Sequence, residues 1–412
     1  MLLLLAIRNL FRNTRRTLIT VAAIAFGLGL VHTTITLQTG QYADMVRIGV
    51  SSLAGHVVVQ AKGYQEEQDS DLVVTKESEV VDRLRATFPD AVVAPRLMLG
   101  GLLTSARGSV GVLLGGIDPQ AEATVQDLDD KLKSGAWLSG DDDRGILVGV
   151  ELAESLDVEV GDKVVYLGQH GEQTEMTSRL FRVAGIFRTG GAELDGFAAF
   201  APISAVQEVF GTPDVANQVT LHLANPDDAD AATEKVRAMF SDRADLEVLH
   251  WKEAISDIWG LIQVDKVAGD VELGILWIIV SMGVLNTVLM SALERTREFG
   301  VMLSLGMKPG RLAALILLEG ATLGVIGSML GVVVGLGLSW PLVEYGLDYS
   351  GFFGSDTFEA AGMALSSVVH GRIDPVRMAS YTLVAIAFTT LAAVYPAWHV
   401  SRLRPVEAMH HV

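Results

Sequence analysis

Four stretches of this chain, residues 17–37, 271–293, 312–340 and 379–398, are almost continuously apolar. Each is long enough to cross a hydrocarbon core about 30 Å thick, which takes about 20 helical residues. Between the first and second stretch the pattern changes. Residues 38–270 carry short β-rich runs, such as His56-Val-Val-Val-Gln60 and Val110-Gly-Val-Leu-Leu-Gly115. Amphipathic segments at 77–88, 151–156, 203–210 and 227–240 separate them, the last two opened by a proline at or just before the first turn. Gly161-Asp162 and Gly190-Gly191 mark turns. The pattern predicts an α-helical membrane protein with four transmembrane helices plus a large α+β domain inserted after the first, with helices and strands segregated rather than doubly wound. Residues 251–270 are amphipathic and free of proline, so a helix there is expected to run directly into the second span as a rigid connection.

The third stretch is longer than a span needs, and its Gly327-x-x-x-Gly331-x-x-x-Gly335 spacing puts glycines on one face. Close packing against a neighbouring helix is expected there.

Basic residues set the orientation, because lysine and arginine near span ends stay on the cytoplasmic side. Arg8, Arg12, Arg15 and Arg16 precede the first span, Arg295, Arg297, Lys308 and Arg311 lie between the second and third, and Arg402 and Arg404 follow the fourth. Residues 1–16, 294–311 and 399–412 are therefore expected in the cytoplasm, and residues 38–270 and the short loop 341–378 outside. The expected location is the cell inner (plasma) membrane, multi-pass, with both termini cytoplasmic. Residues 1–16 set leucine, isoleucine and phenylalanine against arginine, the pattern of an amphipathic helix lying on the inner leaflet. Their apolar run precedes the arginines, the reverse of a cleaved signal peptide.

Composition sharpens this picture. Of 412 residues 50% are hydrophobic and mean hydropathy is +0.38, too apolar for an ordinary soluble protein. The net charge of -18 is concentrated outside: residues 39–270 hold 39 Asp+Glu against 19 Lys+Arg. So acidic a chain is not a nucleic-acid binder. It has no cysteine, which excludes disulfides and thiolate metal sites. Asp141-Asp-Asp143 reads as a solvated loop. No Gly-Lys dipeptide occurs, so the phosphate-binding loop of an ATPase is absent, as are the zinc-protease and nucleophile-elbow spacings.

Between the second and third spans stands Glu294-Arg-Thr-Arg-Glu-Phe-Gly-Val-Met-Leu-Ser-Leu-Gly306, a charged stretch long enough for one short helix. Glu294 and Glu298 lie four apart, as helix neighbours do, and Arg295 stands three before Glu298, a spacing that allows local pairing of opposite charges worth about 0.2 to 0.5 kcal/mol on a helix. This stretch resembles the signature of the FtsX-like and MacB-like ABC transporter permease family. Ala6-Ile-Arg-Asn-Leu-Phe-Arg-Asn-Thr-Arg-Arg-Thr17 before the first span agrees with that family, as do Pro396-Ala397 and Arg404-Pro-Val-Glu-Ala408 after the last. Gly115-Gly-Ile-Asp-Pro119 and Leu152-Ala-Glu-Ser-Leu-Asp-Val-Glu-Val-Gly-Asp162 resemble its MacB-like periplasmic core domain. With no ATPase motif in this sequence, four spans and a large outer domain, the chain is most similar to the lipoprotein-releasing LolC and LolE type.

The resemblance implies a non-catalytic permease subunit that couples ATP hydrolysis by a separate ATPase subunit to movement of extracytoplasmic domains. The implied task is lipoprotein release, with a lipoprotein cargo and a periplasmic carrier. Export of a small amphiphile or peptide and control of a cell-wall hydrolase are the alternatives. A second permease chain, identical or paralogous, is implied. No cofactor or metal is expected in this chain, since the partner ATPase binds ATP and Mg. Carried onto this sequence, the ATPase-coupling residues are Glu294, Arg295, Arg297, Glu298, Gly300 and Gly306. Glu319 is a membrane-embedded or interfacial charge, and Pro396, Pro405 and Glu407 belong to the C-terminal motif.

Overall fold

The computed structural model describes residues 2–402 apart from 11, 13, 126–128, 130, 140–141, 171–175, 354–356 and 361–362. For 193, 352–353, 357–360 and 363–365 only the backbone is described. Pro405 and Glu407 lie outside the described residues, as does Asp141. The chain forms two units: Met1–Tyr42 with Ile262–Tyr349 and Val368–Val412, and Ala43–Leu261 with Ser350–Ser367.

The first unit is a helical bundle. Four helices in the described residues are long and apolar enough to span a membrane: Thr14–Ala54, Ser256–Glu294, Pro309–Glu344 and Pro375–Ser401. Without a hydrophobic drive between helices in lipid, contact depends on close approach of small residues. The glycine stripe supplies it. A Cβ added at Gly327, Gly331 or Gly335 would lie 2.7 to 2.8 Å from the Cβ atoms of Ile24, Leu28 and His32 on the first span. A short helix, Leu2–Leu10, precedes the first span and buries Ala6 and Leu10 in the cluster of Leu312, Leu315 and Ile316. Its Leu3 and Leu4 remain exposed. The N-terminal helix is thus amphipathic as expected, but one side is docked on the third span.

Two spans depart from the expected form. The helix expected over 251–270 is interrupted: Trp251–Ala254 ends at Ile255, and a new helix runs unbroken from Ser256 to Glu294. His250 caps the short piece by accepting from Lys252 N–H, while Glu253 accepts from the His250 N–H, a reciprocal cap that starts a separate helix. The fourth span is two helices, Pro375–Ala392 and Val394–Ser401. Pro396 has no N–H to offer the Ala392 carbonyl and its ring crowds that position, which breaks the helix at Ala393.

The second unit is built on a ten-stranded sheet. In chain order the strands up to residue 250 are β1 (Val57–Ala61), β2 (Val74–Thr75), β3 (Val92–Thr104), β4 (Ser109–Ile117), β5 (Leu132–Gly135), β6 (Gly145–Gly149), β7 (Lys163–Gly168), β8 (Thr177–Phe187), β9 (Ala198–Pro202), β10 (Val215–Ala216), β11 (Gln218–His222) and β12 (Leu246–His250), of which β2 and β10 pair with each other as a separate two-stranded ribbon. The strand β3 organises the unit. Its first half pairs with β11, extending the antiparallel order β12-β1-β11-β3. Its second half pairs with β4 on one side and β7 on the other. Because β7 also pairs with β8, strands β3, β4, β9, β6, β8 and β7 close on themselves as a barrel. Closure removes the free edges of these six strands. Inside it Leu97, Leu99, Leu114, Ile146, Val148, Tyr166 and Phe181 form a buried core. The four-stranded half buries Val57, Val59, Val219 and Leu221 against Val81 and Leu84 of the helix Glu77–Thr87, Val236 of the helix Ala229–Met239, and Phe240 just after it.

The helices expected at 77–88, 151–156 and 203–210 are present within a residue, while 227–240 begins as the 3-10 turn Pro226–Asp228 before Ala229–Met239. The parallel pairs β4 with β9 and β6 with β8 make the sheet mixed.

Candidate coupling site at one end of the bundle

The charged stretch after the second span folds as the predicted short helix, but within narrower limits. The second span ends at Glu294, Arg295 turns out of helical geometry with φ -106°, and a new helix covers Thr296–Ser304. Thr296 assists the break, its hydroxyl donating to the Leu293 carbonyl at 2.8 Å. Glu294 and Glu298 are therefore not neighbours on one helix, contrary to their spacing. Gly306 ends the new helix at φ +93°, a conformation that favours glycine. Its N–H donates to Leu303 O at 3.1 Å and that of Met307 to Met302 O at 3.0 Å, the paired bonds of a Schellman cap.

One face of this helix is fixed to the bundle: Thr296, Phe299 and Gly300 are buried. The opposite face presents Arg297, Val301, Ser304 and Leu305, the last 83% exposed. The expected coupling residues thus divide. Arg297 lies on the free face, Gly300 allows the buried face to seat, and Glu294, Arg295 and Glu298 are engaged inside the chain.

Those engagements form a chain of charge. Arg295 reaches Glu298 at 3.2 Å and Glu319 at 3.0 Å. Glu319, 6% exposed inside the third span, also accepts from Asn9 Nδ2 at 2.7 Å. Arg12 meets Glu298 at 2.6 Å, and Arg16 meets Glu294 at 3.1 Å. The N-terminal segment, the short helix and the third span are joined by these groups. The hydrogen bond from Arg12 holds the Glu298 carboxyl below the usual carboxylate range, with Arg295 adding to the effect. The exposed pairs contribute little, because solvent screens them. The pair of Arg295 with Glu319, both largely buried, matters through the charge that would be stranded if one were removed. Arg295 also stacks over the Phe299 ring at 5.0 Å, which orients it.

The pairing of Arg295 with Glu298 is the one their spacing predicts, while the link from Arg295 to Glu319 carries no local signal in the sequence. Sequence reading also missed Asn9 and Arg12 as partners, because four arginines crowd residues 8–16 and no local pattern selects one. Pro396 kinks the fourth span, where it, Ala397 and Val400 are buried. Among the described residues no group of three or more His, Asp or Glu is arranged to hold a metal ion.

The chain matches the MacB-like periplasmic core domain over residues 17–239 and the FtsX-like permease C-terminal family over residues 271–405. It is 25% identical over 407 residues to a lipoprotein-releasing system transmembrane protein LolC from Xylella fastidiosa, covering 95% of this chain and 92% of that protein. A macrolide export ATP-binding/permease protein MacB from Nitrobacter winogradskyi is 21% identical, over 96% of this chain and 58% of that protein. Among solved structures, the periplasmic region of MacB from Actinobacillus actinomycetemcomitans aligns over 51% of this chain and 95% of its own length, with 17% identity and a TM-score of 0.37. With a charge-linked helix between its second and third spans, and with the two family matches together taking in residues 17–239 and 271–405, the chain belongs to the FtsX-like and MacB-like ABC transporter permeases.

Proposed function

We propose that this permease releases lipoproteins from the inner membrane, driven by a separate ATPase subunit that docks on the free face of the helix Thr296–Ser304. The observation that carries this reading is the geometry of that helix. One face is locked to the bundle through Phe299, Gly300 and the Arg295 network, and the other leaves Arg297, Val301 and Leu305 for a partner. A displacement imposed on the free face is passed to the third span through Glu319 and to the N-terminal helix through Asn9 and Arg12.

ATP and Mg are bound by the partner, consistent with a sequence that has no Gly-Lys dipeptide. The basic segments support a cytoplasmic position for this end of the bundle, and the acidic sheet domain suits the outer side. Two permease chains pack together in the membrane, and their movement reaches the sheet domains, which hand the cargo to a soluble carrier. The choice of lipoprotein as cargo is supported by the LolC relative, which matches over nearly its whole length. The test is ATP-dependent transfer of a labelled lipoprotein from vesicles holding the assembled complex to a soluble carrier. Transfer that requires both ATP and this chain supports the reading. Extrusion of a small amphiphile with no lipoprotein transfer contradicts it.

A further inference from the structure

The long helix of the first span does not end freely. It continues to Gly49 and closes in one wider turn, Val50–Ala54, where Gly55 N–H donates to Val50 O at 2.7 Å. A helix end leaves its last carbonyls without intrahelical donors. Here the carbonyls of Ser51, Ser52 and Leu53 all accept from a single side chain, Arg96 of β3, at 2.9 to 3.1 Å. The same guanidinium donates through Nε and Nη2 to the two oxygens of Glu122, at 2.5 and 3.1 Å. Five N–H groups meet five acceptors, and the Arg96 and Glu122 side chains are 5% and 0% exposed.

Glu122 is delivered by the Gly115-Gly-Ile-Asp-Pro119 motif. The strand β4 ends at Ile117, the Asp118 carboxylate accepts from Gln120 and Ala121 N–H, and Pro119 starts the helix Pro119–Val125, which buries Glu122. The motif thereby gains a physical reason. Buried ion pairs are seldom the most stabilising solution, and apolar residues of similar volume often do as well or better. What this one supplies is a fixed geometry: a cation at the negative end of a 41-residue helix, seated on the strand shared by both halves of the sheet domain.

We propose that Arg96, held by Glu122, is a positioning residue that ties the end of the first-span helix to β3, so that displacement of the helix is delivered to the sheet. The proposal rests on the reading that ATP-driven movement passes to the sheet domain. Lysine at position 96 keeps the charge, but its three donors at a single atom cannot serve three carbonyls and both carboxylate oxygens.

The test uses the full chain with its partner ATPase in nanodiscs. Natural absence of cysteine allows spin labels to be placed at will. One label pair, at Leu30 and Ile279, reports the bundle; a second, at Leu30 and Ser134, reports the sheet. In the unaltered chain a non-hydrolysable ATP analogue shifts both distances. In Arg96→Lys the bundle shift persists and the sheet shift is lost. The double variant Arg96→Met with Glu122→Met, which buries no charge, carries the same expectation if the lysine variant does not fold; circular dichroism and melting check both. A sheet shift of wild-type size in a folded variant overturns the joint. Absence of any shift in the unaltered chain overturns the functional reading, and the joint with it.

Discussion

The two units of this chain solve the same problem, holding helices and strands together, with opposite means. The bundle relies on small residues and a few charges. Gly327, Gly331 and Gly335 let the third span approach the first, and the Arg295 network ties one end. The sheet domain relies on volume, with leucines, valines and aromatic rings filling a closed barrel. The difference follows from solvent. In water, burying a leucine gains the transfer free energy, about 25 cal/mol for each Å² of apolar area. In lipid that gain vanishes, and only packing and hydrogen bonding remain. A residue's contribution therefore depends on the unit in which it stands.

The comparison breaks most visibly if leucine truncation costs the same in both units. Leu99→Ala in the barrel is expected to lose about 2 to 5 kcal/mol of sheet-domain stability. Leu323→Ala, also buried in the bundle, should lose clearly less, because a helix separated in lipid keeps its leucine in an apolar solvent and no transfer free energy is at stake. Denaturant unfolding in detergent, followed by signals specific to each unit, measures both.

Enlarging a glycine tests the small-residue contacts of the bundle. Gly331→Leu drives atoms into Leu28 and is expected to cost the bundle about 1 to 3 kcal/mol. Gly337→Leu, which meets nothing within 4 Å, should be close to neutral and serves as its control in the same unfolding measurement.

Acid separates the units on a smaller scale. Burial lowers the pKa of His56, His170, His222 and His250 in the sheet domain, His222 to about 2 with Arg96 and His56 adding to the effect. Their unfolded forms titrate near 6.5. Below that pH the unfolded chain binds protons that the folded one refuses, so sheet-domain stability falls as pH falls. Each histidine contributes at most about 1.4 kcal/mol per pH unit. Melting between pH 7 and pH 5 should show this slope, and His222→Gln should flatten it.

The smallest expected effect is at Glu298. Its folded pKa is depressed, so its contribution is present above the ordinary carboxylate value and is lost as pH falls through the folded one. Glu298→Gln should lower bundle stability only slightly, because its partner Arg12 is exposed and solvent screens the pair. A larger loss would mean that the network holds the bundle together rather than orienting the short helix.

The bundle was more legible in the sequence than the sheet domain, for the same physical reason. A span announces itself by length and apolarity alone, and the glycine spacing named the face that packs. The breaks at Ile255 and Ala393 were not read, although Pro396 and the Glu253 cap were signals for them. In the sheet domain, local periodicity marked helices such as Ile203–Phe210 within a residue. It could not show that β7 joins β3 to β8, because barrel closure depends on pairings between residues about 60 apart, such as Leu102 with Leu167. The charged site was half legible. Residues 294–306 were marked as one helix, yet the partners that hold it, Asn9, Arg12 and Glu319, are distant in sequence.

The central claim is that the free face of the helix Thr296–Ser304 receives an ATPase. Its most direct test is ATP hydrolysis and co-purification of the chain with its partner ATPase in lipid nanodiscs, for the unaltered protein, for Val301→Glu with Leu305→Glu on the free face, and for Glu298→Ala with Gly300→Leu on the anchored one. The free-face variant is expected to lose ATPase binding, and the anchored-face variant to lose stimulation. Wild-type binding and hydrolysis in both variants, or no ATPase bound by the unaltered chain, would contradict that claim.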